Sequence, residues 1–126
     1  MGDRKMLTSH LGMKVKDIEK VQKFYCENLE FVFEHKYEDE DKILVFLKNE
    51  NSVIELIYSK NNVYNSVKNG IIDHLAFTVT DIHKYIDKLK RKNVNFITNE
   101  ITEVDGKLII FFEGAEGQKI ELVQYI

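Results

Sequence analysis

The chain has 126 residues, 44% hydrophobic and 31% charged, with a formal net charge of -3 and one cysteine. That is enough chain for one compact domain, or for two small modules sharing a sheet, and the composition excludes a disordered polypeptide. Lysines and acids alternate without building a basic stripe, which removes the electrostatic case for nucleic acid or an anionic membrane.

The opening MGDRKMLTSH has no apolar stretch behind its charges, so no secretory leader is expected, and Met6 stands where a myristoylation motif wants Ser or Thr. No apolar run approaches the roughly 18 residues that span a bilayer. His10–Val15 reads as a strand, and Asp17 as the N-cap of a helix over Ile18–Leu29, with Ile18, Val21, Phe24, Tyr25 and Leu29 near helical spacing. Cys26 falls on that helix and reads as a small packing residue; a lone cysteine excludes an internal disulfide and suits a reducing cytoplasm. Strands are predicted over Phe31–Lys36, Ile43–Leu47 and Ser52–Tyr58, and Ser59–Gly70, rich in Asn and Ser, reads as a linker. A strand over His74–Val79, an N-cap at Asp81, a helix carrying Ile82, Tyr85, Ile86 and Leu89, and strands over Val94–Thr98, Lys107–Phe112 and Lys119–Gln124 complete the chain. Turns are expected at 38–42, 48–51, Asp105-Gly106 and Gly114–Gly117.

The same order of elements occurs twice. HLGMKVKDIEKVQKFYCENLEFVF, from His10, aligns with HLAFTVTDIHKYIDKLKRKNVNFI, from His74. In each, Asp-Ile follows seven residues after the histidine, and an Asn (Asn28 or Asn93) stands near the helix stop. ILVFLKNENSVIELIY, from Ile43, aligns with IIFFEGAEGQKIELVQ, from Ile109, both containing Ile-Glu-Leu. The predicted fold is therefore α+β: duplicated βαβββ modules at residues 8–58 and 71–126, joined by a linker at 59–70, within one domain of 1–126.

The repeat carries a chemical expectation. His10 matches His74 and Glu55 matches Glu121, the histidines 64 residues apart and the glutamates 66. Two neutral imidazoles and two carboxylates supply four donors and a charge of minus two, which neutralises a divalent cation and leaves positions open for substrate or water. Strand alternation puts His10, Gly12 and Lys14 on one face, with Leu11, Met13 and Val15 on the other; Glu55 opposes Ile54, Leu56 and Tyr58 in the same way. His35 and His83 break the symmetry and are expected to be solvated.

These segments resemble the glyoxalase, or vicinal-oxygen-chelate, family, through the His, the Asp seven on and the Phe-Tyr of the first helix, together with DHLAFTVTDI and GQKIELVQ in the second half. The resemblance covers about residues 8 to 126 and implies a curved mixed sheet forming a metal-containing cleft. Extradiol dioxygenases of the family typically use two His and one Glu, and methylmalonyl-CoA epimerases His, Gln, His and Glu. The set His10, Glu55, His74, Glu121 resembles the bacterial glyoxalase I pattern. That resemblance implies a cytoplasmic, homodimeric lactoylglutathione lyase-like enzyme of methylglyoxal detoxification, isomerising the hemithioacetal of a 2-oxoaldehyde and a thiol to a 2-hydroxyacyl thioester. Nickel or cobalt is the favoured ion, with zinc possible, and Glu121 the favoured base with Glu55 opposite. Lys14 stands where glutathione-using relatives usually carry Arg, and Lys14 and Tyr58 are the candidate substrate contacts. No nucleic-acid or membrane partner is implied. The alternatives are an acyl-CoA epimerase of the methylmalonyl type and a metal-free protein that sequesters a small ligand.

Overall fold

The computed structural model describes residues 6–61 and 72–126. They fall into two compact units, one made of His10–Asp73 and the other of the N-terminal segment with His74–Ile126. No helix among the described residues is long and apolar enough to cross a membrane.

The first unit contains most of β1 (Met6–Lys14), then α1 (Ile18–Asn28), β2 (Val32–Glu38), β3 (Lys42–Lys48) and β4 (Val53–Ser59). Its strands lie in the order β2-β3-β4-β1. The antiparallel pairs β2/β3 and β3/β4 are hairpin neighbours, whereas β1 runs parallel to β4, a pairing that the intervening helix and hairpins make possible. Asp17 starts α1 as expected, its carboxylate accepting from the Lys20 amide at 3.1 Å. One face of the sheet buries Met13, Val15, Val45, Leu47, Ile54 and Leu56, and α1 covers it with Ile18, Val21, Tyr25 and Cys26. The cover is loose: no residue of α1 is fully buried, and an open cavity of about 940 Å³ lies among Ile18, Val21, Phe33, Ile43, Val45 and Tyr58.

The second unit repeats the plan with β5 (Ile72–Val79), α2 (Ile82–Arg91), β6 (Thr102–Val104), β7 (Lys107–Glu113) and β8 (Lys119–Tyr125), in the order β5-β8-β7-β6. β5 is parallel to β8, and β6/β7 and β7/β8 are antiparallel. Val79, Ile82, Ile86, Ile110, Phe112 and Leu122 form its core, with Met6 of the N-terminal segment packed against them. Asp81 caps α2 through the Lys84 amide at 3.2 Å, and the Gln124 side chain accepts from the Ile82 amide at 2.8 Å, tying the helix start to β8. Asp105 and Gly106 make the two-residue β6–β7 turn with φ of 52° and 73°, the left-handed pair that such hairpins need.

The structure departs from the predicted elements at Val94–Thr98 and at the start of the linker. Val94–Thr98 is not a strand: a single bridge joins Phe96 to Phe112, and the Thr98 hydroxyl, in place of a main-chain carbonyl, accepts from the Phe111 amide at 3.0 Å. The regular edge strand is the unexpected β6. Asn28 and Asn93 stand near the helix stops as expected: Asn28 is the last residue of α1 and donates to the Phe24 carbonyl, and Glu30 and Asn93 carry the positive φ of 61° and 62° that follows each helix. Ser59, the first residue of the expected linker, closes β4, and residues 62–70 of that linker lie outside the described residues.

The β2–β3 turn is held by charge. Asp39 accepts from the Lys42 ammonium at 2.9 Å, from the Asp41 and Lys42 amides and from the Tyr37 hydroxyl, and Lys60 pairs with Glu38 at 2.6 Å. The Lys42 hydrogen bond, followed by the Asp41 amide, holds the Asp39 carboxyl well below the usual carboxylate range. The Lys60 hydrogen bond lowers Glu38 likewise. Burial lowers Lys42, but its hydrogen bond and attraction to Asp39 leave it raised on balance.

Candidate metal and substrate site

Each unit brings one histidine and one glutamate together on the face of its sheet opposite the helix. In the first, His10 Nε2 lies 3.2 Å from Glu55 Oε1; in the second, His74 Nε2 lies 3.1 Å from Glu121 Oε1. All four residues are buried, with 4 to 6% of their surface exposed. The sheet register explains both pairs. Glu55 stands opposite Gly12, and Glu121 opposite Ala76, so each histidine is two residues before its glutamate's partner on the same strand face. A small residue at that partner position leaves room for the imidazole to fold over the carboxylate.

A matching aromatic closes each pair. Phe46 is the other cross-strand neighbour of Glu55 and meets the His10 ring edge-on at 5.6 Å; Phe111 is that of Glu121 and meets the His74 ring at 5.7 Å and 86°. The repeat in the sequence pairs Phe46 with Phe112 instead. Five residues separate Glu113 from Lys119 where four separate Lys48 from Val53, and this longer turn moves the register by one, turning Phe112 into the core and Phe111 toward the ligands.

Burying a carboxylate is costly unless it is paired with a cation or holds a metal ion, and both carboxylates here are buried. The donor types of His10, His74 and Glu121, all buried, suit a metal ion, and Glu55 adds a second carboxylate of the same kind. The separations fit as well: two donors each about 2.1 Å from one ion at right angles are about 3.0 Å apart, close to the observed nitrogen–oxygen distances.

Lys14 lies on the His10 face of β1, as alternation predicts, and its ammonium is 3.2 Å from Asp73 Oδ1, both side chains at least four-fifths buried. Tyr58 is not brought to the His–Glu pair. It leaves β4 on the opposite face from Glu55 and packs with the core beside the cavity under α1, because an odd step along a strand reverses the face.

His35 is exposed on β2, as expected. A register shift between Phe33 and His35 sets it opposite Phe46, with its ring 5.9 Å away. His83 is exposed on α2, as expected.

The family model of the Glyoxalase/Bleomycin resistance protein/Dioxygenase superfamily matches residues 8–122. The chain belongs to this superfamily. Among its relatives within the superfamily is a probable lactoylglutathione lyase of Synechocystis, 29% identical, the alignment covering 94% of this chain and 95% of that protein. Glyoxalase I of Saccharomyces cerevisiae is also 29% identical, over 98% of this chain and 46% of the yeast protein. The structure of a methylmalonyl-CoA epimerase from Mycobacterium tuberculosis has the same superfamily fold, with a TM-score of 0.87, 18% identity and coverage of 100% of this chain and 93% of that one.

Proposed function

We propose that the protein is a metal-dependent lyase of the glyoxalase I type, converting the hemithioacetal of a 2-oxoaldehyde and a thiol into a 2-hydroxyacyl thioester. The reading is carried by Glu55: the first unit places a glutamate, where epimerases of the family have glutamine, against His10 in the way that Glu121 lies against His74. The two relatives named lactoylglutathione lyase and glyoxalase I support it.

In this proposal His10, Glu55, His74 and Glu121 hold one divalent ion, nickel or cobalt in preference to zinc, which prefers fewer ligands. The pairs are contributed within one chain or by the two chains of a homodimer. The ion, when bound, supplies Lewis-acid stabilisation of negative charge on two neighbouring substrate oxygens. Glu121 takes the proton from the carbon that bears sulfur and hydroxyl and delivers it to the adjacent carbonyl carbon, while the hydroxyl proton passes to the neighbouring oxygen, so two protons change place and no electrons are lost or gained overall. Glu55 balances charge from the other side. Phe46 and Phe111, edge-on to the two imidazoles, keep water from the carboxylates. Lys14, fixed by Asp73, is a contact for the thiol's polar end.

Thioester formation from methylglyoxal and a panel of thiols, followed by ultraviolet absorbance with nickel, cobalt or zinc, tests the reading. Turnover that disappears on chelation supports it, and absence of turnover with every thiol and metal sinks it. Deuterium from solvent entering methylmalonyl-CoA, but not a lactoyl thioester, would assign the same proton-transfer chemistry to an epimerase instead.

A further inference from the structure

We infer that Lys119 determines specificity by binding an anionic group of the substrate, an inference that rests on the proposed hemithioacetal or thioester chemistry. Lys119 is two residues before Glu121 on β8 and therefore projects from the same face, its α-carbon about 6.6 Å from that of Glu121. Its ammonium does not trail away from the sheet. It lies 4.7 Å from the centroid of the Phe111 ring, the same ring that meets His74 edge-on. Lys119 is half-buried, and its cross-strand neighbour Glu113 is exposed. A lysine stem laid on an aromatic face loses much of its freedom before any ligand arrives, which lowers the cost of holding an anion there.

The first unit has no such group at the matching place. Val53 precedes Glu55 as Lys119 precedes Glu121, and the ring of Phe46 is met by His35 instead of an ammonium. Histidine, phenylalanine and glutamate are otherwise repeated in kind. A substrate whose reacting carbons are held by repeated ligands needs unlike groups to tell its two ends apart, and beside Lys14, matched by Thr78, the cationic Lys119 against the aliphatic Val53 is such a group. Lys119 lies far enough from Glu121 to meet a carboxylate or phosphate several bonds from the reacting carbon while leaving that carbon to the glutamate.

The test is calorimetric binding of unreactive thioethers to the metal-loaded protein: S-hexylglutathione against its dimethyl ester, and S-propyl-coenzyme A against its dephospho form. The wild type is expected to prefer the more anionic member of at least one pair by about tenfold, the responding pair naming carboxylate or phosphate as the source. Lys119→Ala and Lys119→Met, the latter keeping an unbranched stem against Phe111, are expected to abolish that preference while changing affinity for the less charged member less than twofold; Lys119→Arg keeps it. A wild type that binds no thioether or shows no preference, or a Lys119→Met protein that retains the preference, overturns the inference. Failure of the lyase reading shows separately, as absence of hemithioacetal turnover by the wild type.

Discussion

Replacing Glu121 by glutamine removes one negative charge from a buried position while keeping the side chain's shape. Without metal the consequence is small. At 3.1 Å from His74 Nε2, Glu121 Oε1 accepts no hydrogen bond from it, so none is lost there, and an amide is less costly to bury than a carboxylate. With metal it is large. An ion present at about 1,000 times its dissociation constant stabilises the folded wild type by about 4 kcal/mol. Weakening the site by about a hundredfold leaves that concentration only about ten times the new constant, and the stabilisation falls to about 1.4 kcal/mol. At about 3 °C per kcal/mol for a domain of this size, the metal-induced rise in melting temperature drops from about 12 °C to about 4 °C. Thermal unfolding with and without nickel, at one fixed metal concentration, measures both numbers. Glu55→Gln is expected to lose as much, since its carboxylate is equally buried and equally close to its histidine. A Glu121→Gln protein whose metal-induced shift equals that of the wild type would refute the assignment of this carboxylate as a ligand, and a wild type without any shift would refute the metal site.

Leu56 and Leu122 are both fully buried, next to Glu55 and Glu121 on the opposite strand face, so Leu56→Ala and Leu122→Ala are each expected to cost about 2–5 kcal/mol in chemical denaturation; a cost below about 1 kcal/mol for either would contradict the packing. Glu30→Gly is expected to raise stability by up to about 1 kcal/mol in the same assay, because glycine adopts the left-handed φ of 61° without strain; destabilisation would mean that the Glu30 side chain contributes more than its backbone costs. The Asp39 carboxyl titrates below its ordinary value of 3.8, so its contribution to stability is full above that pH and is lost as pH falls through the lower folded value. The deficit of Asp39→Asn is therefore expected to be largest at neutral pH and to shrink below about pH 4, and an NMR titration of Asp39 with an ordinary midpoint would remove the basis for it.

The ligand-type residues were legible in the sequence because they lie on strands whose local alternation is regular. His10 and Lys14 share a face of β1 as their spacing requires, Tyr58 and Glu55 oppose each other on β4, and Asp17 and Asp81 announce the helix starts. A two-residue side-chain period and a capping carboxylate are local properties, set by a few consecutive residues. The second edge was less legible. Val94–Thr98 has the apolar content of a strand, yet the Thr98 hydroxyl takes a hydrogen bond that a regular ladder would give to the backbone, and the pairing moves on to β6.

By itself the sequence determined the duplicated βαβββ plan, the pairing of elements by kind, and two histidines and two glutamates at equivalent places. Only the tertiary structure decided which neighbours accompany them. That Phe111, not Phe112, faces His74 depends on a turn one residue longer, and that His35 shares the face of Phe46 depends on a shift within β2. Both follow from hydrogen bonds between the two strands of a hairpin. One residue of slip reverses every side chain beyond it, and where that slip falls is settled by the partner strand.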